Sequence, residues 1–158
     1  MNDVILARAI HVLGVVIWIG GVAFVTLIIL PAIRRRELGD DQLGAFQSVE
    51  HRFVRYARST VLVVGLTGFY MCWRLDLWDR FHQASFWWMH AMVGVWLTFM
   101  LLLFALEPLI LHRRFAELAR RKPEYAFTIL HRAHLILLAL SAATILGAVA
   151  GSQGWSIF

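Results

Sequence analysis

Four stretches of this chain contain no Asp, Glu, Lys or Arg: residues 9–33, 59–73, 81–106 and 133–158. Uncharged runs of that length sit at or above the ~20 apolar residues a helix needs to cross a bilayer, except the second, which is short. Arg55 and Arg58 lengthen it if they lay their stems along the helix and send their guanidinium groups to the headgroups. With 60% hydrophobic and 16% charged residues over 158 positions, the chain does not suit a water-soluble domain. The expectation is an all-α membrane protein in contact with lipid. It forms an antiparallel four-helix transmembrane bundle and one domain over residues 1–158, with spans near 4–33, 55–75, 84–111 and 127–150. The first span is too long for a cleaved signal peptide, has no small-residue cleavage site, and is read as retained.

The net charge of +5 is unevenly placed. Arg34, Arg35, Arg36, Arg52, Arg55 and Arg58 join the first two spans, and Arg113, Arg114, Arg120, Arg121 and Lys122 join the last two. The middle connection has Arg74 and Arg80 beside Asp76 and Asp79. Cationic loops stay in the cytoplasm, so both termini are expected in the periplasm of a bacterial inner membrane. Trp73, Trp78, Trp87, Trp88 and Trp155 then form an interfacial belt on the outer side. The basic loops flank long apolar runs, so they are read as set by topology and anionic lipid and not by nucleic acid. Cys72 is the single cysteine, so a haem would be held noncovalently.

The halves of the chain resemble each other. His11 in IHVLGVVIW and His90 in MHAMVGVWL each stand near an outer helix end. Pro31 or Pro108 follows, then a basic loop, then His51-Arg52 or His131-Arg132. The histidine separations are 40 and 41 residues. A duplicated helical hairpin related by an axis along the membrane normal sets His11 and His90 at equal depth, on diagonal helices. That diagonal, ~14 Å for neighbours ~10 Å apart, has room for a flat macrocycle with an imidazole on each side. Gly14 and Trp18 share the His11 face and Gly94 the His90 face. Arg8, Arg74 and Arg80 close the same rim, where propionates need cations. This reading is haem b ligated by His11 and His90.

Other chemistries compete. Met71, Cys72, Met89 and Met92 cluster at the same end, and soft sulfur with imidazole suits Cu(I). On the cytoplasmic side His51, His112, His131 and His134 gather, with His51, His131 and His134 a candidate second haem site and solvated interfacial histidines the plainer reading. Glu107 is expected to pair with a nearby arginine. Gly147, Ala148 and Gly151 are candidates for contact in a homodimer.

His11, Trp18 seven residues on, Gly20-Gly21, Pro31 and Arg34 resemble the first helix of small membrane proteins related to copper-resistance protein D and of HemJ-type protoporphyrinogen oxidases. Trp87, Trp88 and His90 are similar to the start of another helix in that group. More generally the chain resembles four-helix b-type cytochromes of bacterial inner membranes. The resemblance implies that His11 is a haem ligand. The function expected is electron transfer between quinone and a periplasmic redox protein. Copper transport or binding, and protoporphyrinogen oxidation, are the alternatives.

Overall fold

Proline placement shapes the first and third long helices. The computed structural model describes residues 1–155, apart from the side chains of residues 110–112, so the end of the 133–158 run and the His112 side chain lie outside the described residues. Helix α1 (Asn2–Phe24) runs without a break through a π-helical turn, Val25–Ile29, into α2 (Leu30–Arg34). Pro31 has no N–H and its ring crowds the carbonyl four residues back, and the wider turn before it absorbs both defects. The second half repeats the device: α4 (Trp87–Leu101) leads into the π-helical stretch Leu102–Leu111 around Pro108, then α5 (His112–Arg121).

Between these halves lies α3 (Gln42–Arg74), followed by 3-10 turns at Trp78–His82 and Ala84–Phe86; α6 (Pro123–Ser152) closes the chain. Asp41 caps α3 by accepting from the Gly44 N–H at 2.9 Å, and Pro123 opens α6 where an N–H would be unpaired anyway. Every regular element among the described residues is helical.

Among the described residues three stretches are long and apolar enough to cross a membrane: Asn2–Arg34, Ala84–Leu109 and Pro123–Ser152. The helix expected at 55–75 starts instead at Gln42 and has 33 residues. Its added length carries Glu50 and Arg52.

Neighbouring helices run antiparallel. Arg74 pairs with Asp3 at 2.8 Å at one end of α1 and α3, and Gly21 of α1 meets the Phe53 ring toward the other. In the second pair, Gly147 of α6 receives the Trp87 ring of α4, Gly151 receives Trp88, and Phe115 of α5 meets Phe127 at the far end. Two expectations are corrected here. Gly147 and Gly151 are filled from within the chain, because the absent Cβ makes room for an indole, and so are not free for a second copy. Trp87 and Trp88 are half-buried against α6, whereas Trp73, Trp78 and Trp155 are exposed as a belt requires.

The core has two parts. At the basic end Leu30, Ile33 and Phe127 are fully or almost fully buried with Phe46. Gln42 donates to the Ile33 carbonyl at 2.9 Å, beside the Arg36 N–H that reaches the same oxygen at 3.0 Å, and so ties the start of α3 to the end of α2. Toward the other end Trp18, Val22, Val61 and Phe99 pack together, with Trp18 edge-on to Phe99 at 4.9 Å. Beyond this second core, toward the end where α1 begins and α6 ends, the helices do not close.

Candidate functional site: a cavity at the terminal end

The open space is a cavity of about 880 Å³ walled by α1, α3, α4 and α6. Its volume is in the range of small-molecule and cofactor sites. His11 stands on its wall with a defined tautomer. Nδ1 lies 3.0 Å from the Val64 carbonyl, which accepts only, so the neutral ring carries its proton on Nδ1. Thr67 Oγ1 is 3.1 Å from the same nitrogen and donates its own hydrogen to the Val63 carbonyl at 2.7 Å. Nε2 therefore keeps its lone pair. An N–H tied to a backbone carbonyl is the usual outer support of a metal-ligating imidazole. Gly68 lets the ring lie close, since a Cβ there would sit 3.2 Å from His11 Cε1.

Trp18 also lines the cavity, as do Arg8 and Arg80, the latter with its guanidinium 4.9 Å above the Phe86 ring. Met71, Cys72, Met89 and Met92 belong to the same lining, with Met89 buried. Trp18 and Trp88 each hold a buried indole N–H without a partner among the described residues, a cost of about 1–3 kcal/mol apiece.

The other residues expected at this site stand elsewhere. His90 is exposed, its ring edge-on to Phe81 at 5.2 Å, and is not in the lining. Met89, one position and so about 100° away on the helix, occupies the wall instead. The two imidazoles are thus not brought face to face. Gly94 is exposed with open space around it. Gly14 packs against Val64, bringing α1 close to α3 rather than to the cavity. Arg74 is bound to Asp3, which also accepts from the Tyr70 hydroxyl at 2.9 Å.

Trp96 closes the seam between α3 and α4. Its ring fills the notch at Gly65 and its Nε1–H donates to the Val61 carbonyl at 2.9 Å. A Cβ on Gly65 would sit 2.6 Å from three atoms of that indole. Gly65→Val is expected to cost about 1–3 kcal/mol through overpacking, read as a lower thermal midpoint in detergent; an unchanged midpoint would show that Trp96 does not sit in this notch.

At the basic end the described histidines bind nearby backbone or an arginine. His51 donates to the Gln47 carbonyl at 3.2 Å, His131 accepts from Arg34 at 3.0 Å and His134 donates to the Leu130 carbonyl at 3.0 Å. Among the described residues no group of three or more His, Cys, Asp or Glu side chains is placed to hold a metal ion. Glu107 pairs with Arg58 at 2.7 Å, as its position suggested. The reason lies in the π-helical stretch. In that register the Leu103 carbonyl faces residue 108, where proline has no N–H, and Arg58 Nε donates to it at 2.9 Å.

Fold and site together define an all-helical protein with, among the described residues, three candidate membrane-spanning helices and a ligand-sized cavity at the end where α1 begins and α6 ends. Residues 13–119 match the family described as a domain of unknown function, DUF4149, and the chain belongs to that family. No curated protein and no solved structure matches it.

Proposed function

We propose that the chain is a membrane b-type cytochrome that holds haem noncovalently in the terminal-end cavity, with His11 Nε2 as an axial ligand. The observation that carries this reading is the His11 imidazole itself, on the wall of a haem-sized apolar cavity with Nδ1–H tied to Val64. Arg8 and Arg80 supply cations for propionates, and Trp18 adds a flat apolar surface. Bound haem would supply one-electron redox chemistry. The chain's own residues would fix the ligand's tautomer, exclude water and neutralise acidic side groups.

In this reading α3 is the fourth span of an antiparallel four-helix bundle, its arginines gathered toward the cytoplasmic side and Arg58 neutralised by Glu107. The cationic loops favour a bacterial inner membrane with periplasmic termini, which places the cavity near the outer surface. Quinone and a periplasmic redox protein are the partners proposed, by analogy with the architecture.

The position of His90 sharpens the test. Ligation by His90 would need α4 to turn by about 100°. His90→Ala is therefore expected to leave the Soret and visible bands of the haem-loaded protein in place, and a change from low-spin to high-spin bands would show that His90 is a ligand.

A second reading, a Cu(I) site, is favoured by one observation: Met89 and Met92 line the same cavity as His11, Met71 and Cys72. Loading the purified protein separately with haem and with Cu(I) decides between them. A Soret band that follows protein concentration supports the cytochrome, and stoichiometric Cu(I) binding without haem uptake supports the copper site.

A further inference from the structure

The cavity is not sealed toward the lipid. Val12 and Val16 of α1 and Val149 of α6 line it while remaining 55%, 62% and 61% exposed. Gly20 continues the α1 row at a spacing of four residues, lines the cavity and is exposed. A Cβ on Gly20 would meet nothing within 4 Å. On the opposite side Trp96 fills the Gly65 notch and Phe69 meets Trp96 edge-on at 5.5 Å, closing α3 against α4. Deeper in, Val15 and Ile19 of α1 and Ile145 of α6 pack with the second core and close the floor. The opening is thus a slot between α1 and α6 with apolar edges, while Arg8 and Arg80 are the cations of the cavity lining.

The geometry points to a cavity loaded sideways from the bilayer: a lipid-dissolved apolar macrocycle with acidic side groups slides between α1 and α6, body first, and leaves its acids at Arg8 and Arg80. The slot's edges are apolar residues on helices long and apolar enough to span, so the side they present belongs to lipid. An apolar ligand dissolved in the bilayer reaches His11 by that route without crossing the charged rim. This inference rests on the haem reading.

The experiment uses full-length apoprotein reconstituted in vesicles, with haem added to the lipid phase and the Soret band followed in time. Gly20→Trp fills the slot at a position with room for a side chain, Val16→Trp is an independent plug, and Leu13→Trp is a control on an exposed α1 position outside the lining. Both plugs are expected to slow uptake about tenfold or more, the equivalent of one decade in a rate. They are also expected to slow release to a water-soluble apoglobin by a similar factor, with the control at the wild-type rate in both directions. A plug that merely damages the site speeds release, and that result would overturn the inference, as would equal uptake by plugs, control and wild type. Wild-type protein that takes up no haem at all would overturn the haem reading and this route with it.

Discussion

His11→Ala is expected to abolish stable haem binding, with the Soret band no longer following the protein through detergent purification. The size of the effect follows from the geometry. Loss of an outer-shell partner alone costs 10–100-fold in metal affinity, so loss of the nitrogen itself exceeds about a hundredfold. Among the described residues no other imidazole lines the cavity to replace it. The Val64 carbonyl lies within α3 and keeps its helical N–H donor, so the variant leaves no buried acceptor unpaired and the fold is expected to persist. Haem titration of the solubilised apoprotein measures the effect, and wild-type affinity in His11→Ala would reject His11 as a ligand.

Phe127→Ala is expected to have the largest effect on stability and little on the site. Phe127 is 0% exposed and meets the rings of Phe46 at 5.8 Å and Phe115 at 5.4 Å, both near edge-on. Truncation removes the contacts that hold α3, α5 and α6 together at the basic end, at a cost of about 3–5 kcal/mol. The thermal midpoint in detergent should fall clearly, while haem-loaded protein keeps its band positions because this cluster belongs to the other core. A midpoint within experimental error of wild type would mean that the cluster is not packed as described.

The two substitutions separate what composition reveals from what only packing reveals. Long uncharged runs make a helix's existence plain, which is why Asn2–Arg34, Ala84–Leu109 and Pro123–Ser152 fall close to their expected positions. The start of α3 was hidden because Glu50, Arg52 and Arg55 interrupt the apolar pattern, while the Asp41 cap and the Gln42 bond to Ile33 that begin the helix are local and polar. The resemblance between halves has a structural counterpart in the π-helical turns beginning at Val25 and Leu102, since each accompanies a proline.

Helix rotation was the feature least legible in the sequence. The spacing that made His11 and His90 look equivalent says nothing about which way each turns, and one residue separates the exposed His90 from the buried Met89. Packing decides: Trp87 and Trp88 seat in Gly147 and Gly151, fixing α4 so that His90 turns outward to Phe81. The glycines of α6, read as a surface for a partner, are the sockets that set this rotation. Arg74 similarly left the expected rim for Asp3, a residue whose pairing across 71 positions no local pattern announces. The outer support of His11 by Val64, Thr67 and Gly68 was also missed. A Thr-Gly pair in an apolar helix is a common sequence, and only the register of α3 against α1 makes it a cradle.

The haem-to-protein ratio of the purified full-length chain, measured from the pyridine haemochrome after haem is supplied during expression or reconstitution, tests the central claim most directly. The account predicts one haem b per chain in the wild type and close to none in His11→Ala. Colourless wild-type protein, or the same ratio in both, would contradict it.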